Sequence, residues 1–208
     1  MIIHNFADSL RLSHSQANAP WWEPVYRQFF PTFQTMVDIR QDGWAQRGGI
    51  DRIVILAGGK QLLIDEKVRS ANWNDVLLEY WSDRDRRIKG WIAQDLAIHY
   101  LAYAFIPSQK CLLFPFDLLR RAWFLNRRRW IHSGEYRQVE AFNKGYVTVS
   151  VAIPTAELLD VVKNTMLATW NDPIVVMPSE KIVRRPIQLS ISEINDRIEL
   201  GRRAWKTA

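Results

Sequence analysis

Two acids and a lysine, Asp51, Asp65 and Lys67, carry most of the chemistry that can be read from this chain. Asp51 opens an apolar run that ends at Ala57. After a Gly58-Gly59-Lys60 break, a second apolar run carries Asp65-Glu66-Lys67. Carboxylates brought together repel unless a cation offsets them. A small set of hard oxygen ligands suits Mg²⁺ or Mn²⁺, with water and substrate phosphate oxygens completing the shell. The backbone carbonyl of Glu66 could add a further ligand. A metal held this way serves as Lewis acid and activates a water. Lys67 could position that water, help deprotonate it and balance charge on the phosphorus.

The elements that must position these groups are two strands and a turn. Residues 50–57 are almost all aliphatic or β-branched, which predicts a strand buried on both faces. Residues 61–68 predict a second strand, and Gly58-Gly59 a hairpin between them. Side chains alternate along a strand, so Asp65 and Lys67 share one face and Glu66 takes the other. A two-residue turn at Gly58-Gly59 pairs Ala57 with Lys60 and thus Asp51 with Glu66. A three-residue loop, Gly58-Gly59-Lys60, pairs Ala57 with Gln61 and thus Asp51 with Lys67, leaving Asp51 diagonal to Asp65 at about 7–8 Å. The second register is favoured, because glycine in the loop can take a left-handed position.

In these residues the chain resembles the PD-(D/E)XK nuclease superfamily, whose motif is an acid opening one strand and acid-any-lysine in the next. Asp51 and Asp65-Glu66-Lys67 fit the motif, with Ile50 where it has proline. Some members add a glutamate from the helix before the sheet, and Glu23 in Trp21-Trp22-Glu23-Pro24 is the candidate. The resemblance covers about residues 20–115. It implies an α/β fold with a central mixed sheet flanked by helices, a restriction-endonuclease-like core and C-terminal helical or extended additions. It implies one domain over 1–208, with the core at about 20–130 and the extension at about 140–208. The activity implied is metal-dependent hydrolysis of DNA phosphodiesters. Asp51 and Asp65 would hold Mg²⁺ or Mn²⁺, and Lys67 would orient the water. The superfamily core has one helix between its third and fourth strands, whereas a strand-like segment at 76–81 intervenes here. RNA as substrate, and endo- against exonuclease action, stay open.

Other readings compete. Asp65 paired with Lys67 or Lys60 is also an ordinary salt bridge, and Glu23 suits a helix N-terminus for dipole reasons alone. A catalytically weak or inactive nucleic-acid-binding or assembly module on the same fold is the alternative function.

Charge points to an anionic partner. The chain has 208 residues, 28 basic against 22 acidic, for a formal net charge of +6. Five arginines fall within ten positions at Arg120, Arg121, Arg127, Arg128 and Arg129, beside Trp123 and Trp130. On a helix over 116–130, Arg120, Arg127 and Arg128 approach one face, where guanidinium forks could neutralise phosphates. Trp130 could stack on exposed bases, although a solvated helix face with aromatic anchors explains the pattern equally well. Residues 84–89 read as a charged loop near the site, and Ser70 and Gln94 as candidate assistants.

A hydrophobic share of 48% suffices for a core, and no run approaches the roughly 20 apolar residues of a membrane helix. The first residues lack the pattern of a signal peptide, and the single Cys111 permits no internal disulfide, so a cytoplasmic setting is expected. A homodimer is compatible with this composition. His4, His14, His99 and His132 lie singly without zinc spacing, and His99 reads as a satisfied core residue. Gly58-Gly59-Lys60 lacks the rest of a phosphate-binding loop, and no Gly-x-Ser-x-Gly elbow is present.

The remaining elements are coarser. Helix is expected over 6–18, loosening at Ala17-Asn18-Ala19-Pro20, over 117–129 with Asp117 as cap, over 154–167 and over 190–206 with Ser192 as cap, and a helix or turn over 22–30. Strands are expected at 33–40, 76–81, 110–114 and 146–153. Residues 90–95 read as a turn or short helix, and 97–106 as strand or buried helix.

Overall fold

The hairpin is a good place to enter the fold. In the computed structural model, which describes residues 15–170, β2 (Arg52–Leu56) and β3 (Gln61–Arg69) are antiparallel and joined by a 3-10 turn at Ala57–Gly59. Gly58 and Gly59 both have φ near +80°, at 79° and 78°, which a side chain would resist. Burial alternates along β2 rather than covering both faces, contrary to the sequence expectation.

Before the hairpin come α1 (Trp22–Phe29), β1 (Phe33–Asp38) and the short α2 (Gly43–Arg47). Helix α1 buries Trp22, Val25, Tyr26 and Phe29, the i, i+3, i+4, i+7 spacing of one helical face. After it come β4 (Asp75–Asp83), β5 (Ile88–Lys89), β6 (Tyr100–Phe105) and β7 (Lys110–Pro115). Then follow α3 (Phe116–His132), β8 (Gln138–Asn143), β9 (Tyr146–Pro154), α4 (Thr155–Val161) and β10 (Met166–Thr169).

Two sheets result. The larger runs β1-β2-β3-β6-β7-β10, with every neighbouring pair antiparallel except β3 and β6. The smaller is antiparallel, in the order β5-β4-β9-β8. A parallel pair needs a crossover connection, usually an α-helix. Here the crossover from β3 to β6 runs through β4, β5 and a 3-10 turn at Trp91–Ala93.

The mixed sheet buries both faces. Ala102, Ala104, Cys111 and Leu113 join a core with α1, where Trp22, Tyr26 and Phe29 pack on Val54 and Ile64. Leu101, Tyr103 and Phe105 belong to the other core, closed by Val76, Leu78, Val151 and Ile153 of the second sheet and by Leu119, Trp123 and Trp130 of α3. The fold is therefore mixed α/β, with a second sheet doing much of the covering expected of helices.

Several expectations change. Of the two readings left open for 97–106, residues 100–105 take the strand. The helix expected over 154–167 stops at Val161, because Asn164 takes φ 63° and the chain turns into β10, which pairs with β7. Strand β8 had no counterpart in the sequence reading. His99 is exposed, and its Nδ1 accepts the Leu63 N–H at 2.9 Å, so it is satisfied but not a core residue. Asp117 lies in the first turn of α3 without capping it. Among the described residues, no helix is long and apolar enough to cross a membrane. The helix expected at 190–206, and most of that at 6–18, lie outside the described residues.

Candidate functional site: an acid–lysine cluster at the mouth of a cleft

Register decides which acid meets which, and it differs from both sequence alternatives. The ladder pairs Ile55 with Gln61 and Arg52 with Ile64. The loop has three residues, as expected, but they are Ala57, Gly58 and Gly59, and Leu56 N–H bonds Lys60 O at 2.9 Å. Ala57 is drawn into the turn and Lys60 released to pair, so the ladder carried one step further sets Asp51 against Asp65. Asp51 is therefore neither opposite Glu66 nor opposite Lys67. It stands just beyond the last ladder pair, where its own N–H bonds Ile64 O at 2.9 Å.

The two carboxylates and the lysine are together. Asp65 is 2% exposed, and Lys67 Nζ donates to its Oδ1 at 2.5 Å. Burial lifts the Asp65 carboxyl to about 7; Lys67 opposes the rise, while the Asp51 charge and hydrogen bond add to it. Asp51 Oδ2 accepts the Glu66 N–H at 2.8 Å, and its Oδ1 lies 3.5 Å from Arg40 Nε. Lys67 keeps its charge, since Asp65 and Asp51 outweigh the effect of burial and raise its pKa. Its ammonium also sits 6.0 Å from the Trp91 ring centre.

Glu66 takes the opposite face of β3, as alternation requires. Its carboxylate is fully buried and accepts from Tyr26 Oη at 2.6 Å, Arg52 Nε at 2.5 Å and Arg40. The Tyr26 hydroxyl is pushed well above its ordinary pKa by burial first and then by Glu66. Glu66 thus anchors α1 and two arginines beneath the site. The sequence reading took the β2 run as apolar and gave no role to Arg52, which is 3% exposed.

A third acid faces Lys67 from the second sheet. Glu79 of β4 lines the same cleft, and burial raises its pKa against the opposing pull of Lys67 and a hydrogen bond from the Trp91 backbone. Gly90 lets that turn press close: a Cβ there would lie 2.3 Å from Glu79 O. The sequence signal was an acid between Leu78 and Tyr80 in a strand, but the facing strand could not be named without the topology.

The cleft has a volume of about 1030 Å³ and is lined by Asp51, Lys67 and Arg69 of the first sheet and by Leu77, Glu79 and Thr148 of the second, among others. Ser70 lines it too. Gln94 instead donates to Lys89 O at 2.6 Å.

Other candidates fall elsewhere. Glu23 is exposed on α1 and pairs with Arg27 at 2.6 Å, outside the cleft, so no helix glutamate joins the acids. Trp130 is buried and donates to Glu157 Oε1 at 2.9 Å, so its ring is not available for stacking. Arg129 pairs with Glu157 and Tyr136, and Arg120 with Asp95 at 2.7 Å. Arg120 and Arg127 flank the exposed Phe124, their guanidinium carbons 5.8 and 5.6 Å from its ring centre, so these two of the three arginines share a face. Arg121 and Arg128 are exposed. In the 84–89 loop, Arg84 pairs with Asp85 and Glu140, away from the cleft.

Among the described residues, no three His, Cys, Asp or Glu side chains are grouped to hold a metal ion. The adjacent pair Asp51 and Asp65 remains. That donor set fits Mg²⁺, which binds through one or two carboxylates and keeps several waters. Burial first, and the neighbouring Asp51 charge after it, raise Asp65 against the pull of Lys67, and a cation between the two acids would favour its charged form. No family model, curated protein or solved structure matches the chain.

Proposed function

We propose that the protein is a Mg²⁺- or Mn²⁺-dependent nuclease that hydrolyses DNA phosphodiester bonds, with Asp51, Asp65 and Lys67 at its centre. One observation carries the reading. Two carboxylates and the lysine two residues along from one of them are brought together beside a cleft that Asp51 and Lys67 line, with the buried Asp65 raised to about 7. A salt bridge alone would need neither the second acid nor the cleft.

In this reading Asp51 and Asp65 hold the metal, which when bound supplies Lewis acidity and an activated water. Asp51 is fixed for that work by the Glu66 N–H, so one of its oxygens is committed and the other is directed. Lys67 donates to Asp65 in the resting site. With phosphate present, its ammonium is placed to hold the attacking water and to offset charge gathering on the phosphoryl oxygens. Glu79 adds a smaller attraction to the charge of Lys67, after those of Asp65 and Asp51. The PD-(D/E)XK resemblance is supported by the placement of its three motif residues on one hairpin face. The crossover through a second sheet departs from the single helix expected there.

A second reading draws on a specific contact. Arg40 lies 3.5 Å from Asp51, and Lys67 is already on Asp65, so both acids have a protein cation beside them. That arrangement suits a nucleic-acid-binding module without hydrolysis.

Cleavage of supercoiled plasmid, linear plasmid and single-stranded DNA with Mg²⁺ or Mn²⁺ separates the two. Wild type should cut, and Asp65→Ala, Lys67→Ala and EDTA should each abolish cutting. Folded wild type that retains DNA but cuts none of the substrates would establish the binding module instead.

A further inference from the structure

The wall facing the acid–lysine cluster differs from the cluster itself. Trp73, which is 36% exposed, and Tyr146 line it together with Ser150 and with Thr148, whose hydroxyl donates to Ser82 O at 3.1 Å. The Arg137 guanidinium sits 5.4 Å from the Trp73 ring centre, steadying one face of the ring. Aromatic faces beside hydroxyls suit nucleobases, which stack on the ring and hydrogen-bond at their edges.

The two walls are also close. Tyr103 Oη of the first sheet accepts the Leu77 N–H of the second at 3.1 Å, and Arg69 of β3 lies 3.8 Å from Asp75 of β4. Sheets packed face to face stand about 10 Å apart. The major groove of a duplex is by itself about 12 Å wide, so walls bridged directly in this way favour a single strand over a duplex. The cleft's 1030 Å³ lies just above the roughly 300–1,000 Å³ of small-ligand sites, which is room for a short stretch of one strand.

Acidic side chains lining the cleft outnumber basic ones. Phosphate neutralisation serves duplex and single strand alike, but single-strand sites add stacking of bases on aromatic side chains, which Trp73 and Tyr146 supply.

We propose that the cleft takes a single strand of nucleic acid in preference to duplex, with its bases against Trp73 and Tyr146 and its phosphates towards Asp51, Lys67 and Arg69. This rests on the reading of the cleft as a nucleic-acid site. The shared chemistry is a phosphodiester-linked strand, and separate DNA and RNA probes distinguish the two sources.

The test is fluorescence anisotropy on the full chain with labelled single-stranded DNA and RNA of about 12 nucleotides, and blunt duplex of the same sequence, in Ca²⁺ and in EDTA. Single strand should bind at least about tenfold tighter than duplex, and tighter in Ca²⁺. Trp73→Ala and Tyr146→Ala should each weaken it about tenfold, while Trp73→Phe, which keeps an aromatic face, should retain most of the affinity and guard against a folding artefact. Duplex binding equal to or tighter than single strand overturns the proposal, as does wild-type affinity in both alanine variants. Duplex preference with metal-dependent cutting would sink this inference and leave the nuclease standing. Single-strand preference without cutting would do the reverse, and binding of neither probe would sink the nucleic-acid site altogether.

Discussion

Asp51 Oδ2 accepts the backbone N–H of Glu66 at 2.8 Å, which ties the acid ahead of β2 to the residue separating Asp65 from Lys67. Three members of one cluster are thereby referenced to a single peptide unit. A backbone donor does not swing away as a side chain would, so the spacing between Asp51 and Asp65 is set by the strand pairing itself.

The raised Asp65 carboxyl makes stability depend on pH. Its ordinary value is 3.8, and in the folded protein it stands at about 7. Between those values the folded state holds a proton that the unfolded chain has released, so stability falls as pH rises through this window. Lys67, raised from 10.5, contributes only above that range. In EDTA, the melting temperature of wild type minus that of Asp65→Asn should decline from about pH 4 to about pH 7. Because a cation competes with the proton, stabilisation by Mg²⁺ should be small at about pH 5 and full above about pH 7. A flat difference across the range would mean that Asp65 does not titrate there.

Glu66 should matter to folding first. It is the shared partner of Arg40, Arg52 and Tyr26. Glu66→Ala removes the close carboxylate of the buried Arg52, leaving it only Asp38 at 3.7 Å, while Arg40 keeps Asp38 and Asp51; breaking a buried pair costs about 3–5 kcal/mol. Glu66→Gln keeps hydrogen-bonding capacity and should lose less. Urea denaturation reads both, and an alanine variant as stable as wild type would contradict the network.

Glu79 is expected to act through Lys67. Glu79→Gln should slow single-turnover cleavage about tenfold, and the double variant with Lys67→Ala should be little worse than Lys67→Ala alone, as coupled residues behave. Full additivity would place Glu79 outside the site.

Helix α3 divides into two kinds of residue. Trp130→Ala should cost about 3–5 kcal/mol of stability, as a buried aromatic does, and leave the DNA affinity of the folded fraction unchanged. Arg121→Ala and Arg128→Ala should leave stability alone and each lower the salt slope of DNA binding by about one. Unchanged slopes would remove this helix from the nucleic-acid surface.

The hairpin, the shared face of Asp65 and Lys67 and the opposite direction of Glu66 were all legible, because two-residue alternation leaves no choice once the strands are placed. The register was not. Whether a glycine turn takes in Ala57 or Lys60 turns on a few backbone angles, yet it decides which residue opposes Asp51. Glu79 was out of reach for another reason: it belongs to a strand that pairs with β9, and such distant pairing has no local signature. Strand β8 did carry one, alternation over Gln138–Asn143 followed by the two-residue turn Lys144-Gly145. The arginine-rich helix was correctly read as a helix, but composition could not tell the arginines engaged by Asp95 and Glu157 from those left to solvent.

The crossover through the second sheet has a consequence for the newborn chain. Strand β3 needs β6 beside it, and β4 needs β9, which ends at Pro154. During synthesis the acids and the lysine emerge early, while the wall opposite them waits for a strand made much later. Such long-range closure makes folding slow relative to a chain of local contacts. The ribosome therefore releases Asp51, Asp65 and Lys67 well before it releases the strand that completes the wall facing them.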